Sequence, residues 1–256
     1  MRYSRKDLLG ILMIAVTIIV GLGFLVWPNL SNKPKVGDDL CVEGQPIQRH
    51  YLFVIDQSDP VPERNIDQLR LIFDRILRDM GKNDRISIFT MKDASSPFSK
   101  ENRSICNPGR GADANPWTAN PKRIEVAFKT HFLKPLEQSL SREAFTQQAH
   151  QSPIMEYLQD VTRAQEYLPK AESQVLYIVS DFIQHSALLN QYQAQKPLAD
   201  LLRQDDMVFH QPDFQGSEVN LIYVQRPEHR NAQTSGHKKF WHDYFQHFRA
   251  GKVNLL

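Results

Sequence analysis

Cysteine is almost missing from this chain of 256 residues. Two residues, Cys41 and Cys106, exclude a multi-disulfide scaffold and a four-thiolate zinc centre. An excess of charge of either sign is lacking as well. Lys and Arg total 31 against 29 for Asp and Glu, a net charge of +2, and this balance argues against a dedicated nucleic-acid binder. Glycine is scarcer than proline, 11 against 15, and no low-complexity tract occurs, which excludes a disordered or repeat protein. There is no Gly-x-Ser-x-Gly elbow and no phosphate-binding P-loop, so serine-hydrolase and nucleotide-hydrolase chemistry lack their central groups. What is present, 41% hydrophobic and 23% charged residues, suits one sizeable globular domain.

One stretch departs from that average. Leu8 to Trp27, LLGILMIAVTIIVGLGFLVW, carries no charge. As a helix it would reach about 30 Å, the thickness of a bilayer's hydrocarbon core. A cleaved signal peptide would have an apolar region of only about 7–15 residues followed by a small-x-small cleavage site. Here Val-Trp-Pro-Asn follows a longer run, so the segment reads as an uncleaved transmembrane signal anchor. Residues 1–7 then form a cytoplasmic tail, and everything beyond the helix lies on the non-cytoplasmic side, periplasmic or extracellular. Cys41 and Cys106 are compatible with that side as a disulfide pair, worth roughly 4 kcal/mol in loop entropy; the alternative is two unrelated buried thiols.

Residues 28–46 are polar and rich in turn formers, and read as a linker to a domain spanning 47–256. RHYLFVID (Arg49 to Asp56) reads as a buried strand and Pro62 to Met80 as an amphipathic helix. RISIFTM (Arg85 to Met91) completes a strand–helix–strand unit with parallel strands. Residues 93–122 hold four prolines' worth of interruption, at Pro97, Pro108, Pro116 and Pro121, and read as a long irregular excursion around one short edge strand. Helices are expected over Lys122 to Ser139, Pro153 to Leu168, Leu188 to Gln204 and Lys238 to Arg249. QVLYIVSD (Gln174 to Asp181) and EVNLIYVQ (Glu218 to Gln225) are further strands. The alternation predicts an α/β fold: a three-layer, Rossmann-like, doubly wound and mostly parallel sheet, preceded by one transmembrane helix.

The acids carry the chemistry. Asp56 ends the first strand and Asp181 a later one, each followed by a loop. Ligands of doubly wound sheets sit outside the carboxyl ends of the strands, where the strand order reverses. If these two strands are neighbours there, their carboxylates converge, with Ser58 two residues past Asp56 and Ser152 at the start of a helix. Two carboxylates with hydroxyls make a hard-oxygen site suited to Mg²⁺, Mn²⁺ or Ca²⁺.

In YLFVIDQSDP, SPIMEYL and VLYIVSDF, in that order, the chain resembles the von Willebrand factor A domain family from about Arg49 onward. The resemblance implies a metal-ion-dependent adhesion site, built in that family from an Asp-x-Ser-x-Ser motif, a Thr in a second loop and an Asp in a third. By it, Asp56 and Ser58 match the first motif, Ser152 stands at the Thr position and Asp181 matches the last Asp. It also implies a metal ion with an open position that a partner's carboxylate fills. The chain departs from the pattern: Pro60 occupies the place of the second Ser, and Phe182 follows Asp181 where Gly is frequent. Asp59 is either an extra carboxylate or a cap for the helix at Pro62.

Other signals point elsewhere or nowhere. A phosphotransfer aspartate would need a second Asp where Ser58 stands. His237, His242 and His247 are five apart, about 140° past a full turn, so they fan apart on a helix and do not chelate one ion. Phe240 to Phe248 read as a core-facing aromatic face. The sequence thus predicts a non-enzymatic, membrane-anchored protein-interaction module of a cell-envelope assembly, binding an acidic group of a protein partner through Asp56, Ser58, Ser152 and Asp181. Two alternatives stay open. One is a structural module with a decayed metal site that binds through 93–122; the other is a metal-dependent hydrolase.

Overall fold

The computed structural model describes residues 5–31, 35–91, 102–117, 119–141, 145–146, 149–164, 171–193, 196–204, 207 and 211–256. At its centre is strand β1 (Ile47–Asp56), buried almost without interruption from His50 onward, as expected of a strand covered on both faces. Around it lie β2 (Arg85–Met91), β3 (Arg103–Cys106), β4 (Ala171–Ser180), β5 (Glu218–Tyr223) and β6 (Lys252–Leu255), in the order β3-β2-β1-β4-β5-β6. All pairings are parallel except β2 with β3. The order reverses between β1 and β4, the switch point of a doubly wound sheet.

Helices cover both faces because successive strand residues point to opposite sides. Tyr51, Phe53 and Ile55 of β1 join one apolar cluster with Ile66, Leu69, Phe73 and Ile76 of α2 (Glu63–Asp79). Leu52 and Val54 join another with α5 (Ile154–Arg163) and α7 (Ser235–His247). The expected aromatic face of α7, Phe240, Trp241, Tyr244 and Phe245, together with Phe248 just beyond it, is buried there, so it packs on the sheet. His237 is buried while His242 and His247 are exposed, in keeping with their fanned spacing.

Several elements differ from expectation. The helix expected over Lys122 to Ser139 is a run of α3 (Pro121–Ala127), a π turn (Phe128–Leu133) and α4 (Lys134–Ser139). Pro135, which has no N–H to give, follows that turn. Among the described residues of the helix expected over Leu188 to Gln204, only α6 (Leu198–Leu201) is helical. Upstream of it, Ser186 Oγ accepts from Leu188 N and Asn190 Oδ1 from Tyr192 N, local bonds that compete with helix formation. The chain does not end in a helix: β6 follows α7 and pairs with β5. The turn into β6 needs Gly251, since a Cβ there would lie 2.2 Å from the Gly216 carbonyl oxygen.

The segment read as linker is fastened to the sheet over residues 35–46. Cys41 and Cys106 form a disulfide, Cys106 N donates to Asp39 O at 2.8 Å, and Val42 N donates to Asn83 Oδ1 at 2.8 Å. The edge strand expected in the 93–122 excursion is β3, antiparallel to β2; residues 92–101 and 118 lie outside the described residues, as do 165–170 of the helix expected to reach Leu168. At the amino end, α1 spans Arg5–Ser31, with exposed side chains over 9–22. Among the described residues no helix is long and apolar enough to cross a membrane.

Candidate functional site

The strand order brings the four residues singled out by the sequence to one rim. Asp56 is the last residue of β1, and Asp181 directly follows β4, its hydrogen-bonded neighbour. Both carboxylates are built alike: Asp56 Oδ1 accepts from Ser58 N at 2.9 Å, and Asp181 Oδ1 accepts from Ile183 N at 2.8 Å. Each acid thus turns the chain at the end of its own strand, two residues ahead, and orients itself in doing so. Ser58 also presents its hydroxyl to Asp56. The N-cap position of α2 is Pro62, with no side-chain cap bond there, and the charge of Asp59 acts on Asp181.

Ser152 arrives from the third loop. Its backbone makes a two-way bridge with His185, at 3.0 and 2.9 Å, which pins that loop onto the chain leaving Asp181. From there Ser152 Oγ donates to Asp56 Oδ2 at 3.2 Å. Gln184 steadies the same junction, accepting from Met155 N at 3.0 Å and donating to Glu156 at 2.7 Å. Asp56, Ser58, Ser152 and Asp181 are all buried.

Two further residues complete the rim, and sequence reasoning missed both. Ser180 Oγ donates to Asp56 Oδ2 at 2.7 Å and accepts from Phe182 N at 2.8 Å. Arg226, just past β5, reaches Asp181 Oδ2 with its Nε at 3.2 Å and donates from Nη1 to the carbonyl of Pro60. Its backbone N–H donates to Gln233 Oε1 at 2.7 Å, and Gln233 Nε2 donates to the carbonyls of Asp181 and Val224. The available signal was positional. Ser180 is one residue from Asp181 on the strand that pairs with β1, and Arg226 follows the strand that pairs with β4.

Phe182 has φ of 60°, the left-handed region where glycine is at ease. Burial of its ring holds it there: the ring stacks on Tyr223 and tilts against Trp241, whose indole N–H donates to the Phe182 carbonyl at 2.7 Å. The left-handed backbone at this position is therefore held without glycine.

The rim gathers two buried carboxyls around one guanidinium. Burial pushes the Asp56 carboxyl above its ordinary range, against the hydrogen bonds from Ser180, Ser58 and Ser152. Burial first, then the charge of Asp56, pushes Asp181 up to about 7, against the Ile183 N–H and the Arg226 guanidinium. Buried carboxylates with raised proton affinity favour an added cation, and the side chains of Asp56, Ser58, Ser152 and Asp181 offer oxygen ligands. The residues therefore fit a hard divalent ion. Among the described residues no three of His, Cys, Asp and Glu gather as a metal cage, so an ion here would depend on the serine hydroxyls as well as the two acids. Comparison of the chain with protein-family models and with curated proteins yields no match.

Proposed function

We propose that the chain is a membrane-anchored, von Willebrand factor A-like protein-interaction module. Its domain stands on the non-cytoplasmic side and binds a protein partner within a cell-envelope assembly. The observation that carries this reading is the convergence of Asp56, Ser58, Ser152 and Asp181 at the β1–β4 switch point. The order of the strands, with its reversal between β1 and β4, supports the Rossmann-like part of the reading. The disulfide between Cys41 and Cys106 supports an oxidising compartment, and the apolar run from Leu8 to Trp27 supports the anchor.

In this reading Asp56, Ser58, Ser152 and Asp181 hold Mg²⁺ or a similar ion. Such an ion would supply a positive charge to which a carboxylate of the partner could bind. The chain's own part is to keep the oxygens together: Ser180 orients Asp56, and the bridge between Ser152 and His185 locks the third loop. The role is binding, not turnover.

Thermal melting of the full chain in detergent tests the site. Added Mg²⁺ is expected to raise the melting temperature, and Asp56→Ala combined with Asp181→Ala to abolish that rise. No rise in the wild type, or a rise that survives in the double variant, removes the ion from the mechanism. Cross-linking in membranes, with and without a chelator, then identifies the partner. One observation favours a second reading, in which binding runs through the 93–122 excursion: Trp117 there is 93% exposed.

A further inference from the structure

Arg226 is the cation already present at the rim. Its side chain is only 11% exposed, and it comes from a strand end that the family pattern does not use for the site. The guanidinium spans two loops, meeting Asp181 Oδ2 on one and the Pro60 carbonyl on the other. Pro60 stands where the second Ser of the metal-binding motif would be, so that hydroxyl is missing, and the backbone carbonyl at this position accepts from Arg226. The backbone of Arg226 is fixed as well, through Gln233, to the Asp181 carbonyl. The loop that carries the arginine is thus built onto the same acid that the arginine neutralises.

We infer that Arg226 is a built-in counter-cation, a positioning residue that holds the Pro60 and Asp181 loops together before an ion enters and weakens the ion's hold once it does. This rests on the reading that Asp56 and Asp181 bind a divalent cation. The physical reason is that one oxygen, Asp181 Oδ2, is asked to serve both positive charges. Before ion entry the guanidinium offsets the repulsion between two buried acids, which stabilises the rim. Once the ion is bound, the same charge repels it at close range. Removal of the arginine should therefore move two quantities in opposite directions, whereas simple damage to the fold would lower both.

The experiment is titration of the full chain in detergent with MnCl₂ by calorimetry, alongside thermal melting in EDTA. Arg226→Gln is expected to melt lower than wild type in EDTA yet to bind Mn²⁺ roughly tenfold more tightly, an order of magnitude set by one unit charge near the ion. Arg226→Lys keeps the charge and should keep the wild-type affinity. Binding by Arg226→Gln alone, with none by wild type, supports the counter-cation and overturns the ion-bridging role in the native chain. Wild-type binding that Arg226→Gln leaves equal or weakens overturns the counter-cation and spares the ion-bridging role. No binding by either protein overturns both. Should Arg226→Gln be unfolded in EDTA, added Mn²⁺ is expected to restore its melting transition, and failure to restore it counts against the inference.

Discussion

Ser180 Oγ donates to Asp56 Oδ2 at 2.7 Å, from the strand beside the one that Asp56 ends. The same oxygen accepts the Phe182 N–H, so one hydroxyl couples the first acid to the backbone that carries the second. Ser180→Ala should strip the buried Phe182 N–H of its acceptor and leave Asp56 Oδ2 with the longer Ser152 bond, at a cost of about 1–3 kcal/mol of stability. Ser152→Ala, which loses a longer bond of 3.2 Å, should cost less. Urea unfolding of the two variants checks the ranking, and equal or inverted costs would show that Ser180 does not organise the rim.

Phe182 carries two opposed contributions. Its left-handed backbone is strained for a residue with a side chain, while its ring is fully buried against Tyr223 and Trp241. Phe182→Ala should lose about 3–5 kcal/mol through the cavity left behind. Phe182→Gly should recover roughly 1 kcal/mol of that, because glycine takes up the positive φ without a steric cost. A glycine variant no more stable than the alanine variant would mean that backbone strain is not what the ring is offsetting.

Two buried histidines should cost the domain stability in mild acid, against the gain from the raised carboxyls of Asp56 and Asp181, which take up protons in the folded state. Burial, then the positive charge of Arg85, lowers His50 from 6.5 to about 3, and burial lowers His237 to about 4, against its bond to the Phe182 carbonyl. Folding therefore favours the neutral rings. Their contribution is whole above pH 6.5 and is lost as pH falls from there toward the folded values. Each costs about 2 kcal/mol between pH 6.5 and 5, at roughly 1.4 kcal/mol per pH unit. His50→Gln keeps a partner for Ser87, 2.8 Å from the ring, and should gain stability relative to wild type at pH 5 compared with pH 7. Chemical unfolding at several pH values measures it; a variant with the wild-type slope would exclude His50 as a source.

Reduction of the Cys41–Cys106 bond should destabilise the chain by roughly 4 kcal/mol, the loop-entropy value for a sequence separation of 65. The expected readout is a lower urea midpoint with reductant or with Cys41→Ser and Cys106→Ser. An unchanged midpoint would assign the anchoring of residues 35–46 to the hydrogen bonds of Asp39 and Asn83 instead.

Much of the architecture was legible in the sequence because it depends on local pattern. The span of β2 is read directly from RISIFTM, and α2 from apolar residues recurring every three or four positions. The elements that were misread are those where side chains compete for the backbone or where pairing comes from afar. Ser186 and Asn190 divert the stretch expected to begin a helix, and β6 exists because β5 offers it a free edge. Neither signal lies within a short window of sequence.

By itself, the sequence determined the alternation of strands and helices, the apolar amino-terminal run and the acids at two strand ends, since each follows from side-chain spacing along a few residues. Only the tertiary structure decided that β1 and β4 are neighbours at the reversal, that Ser180 and Arg226 join the two acids, and that the segment before β1 is fastened by Cys41. The reason is the range of the forces involved. Periodicity is written into adjacent residues, whereas charge compensation and hydroxyl geometry depend on which distant strand ends the closed sheet sets side by side.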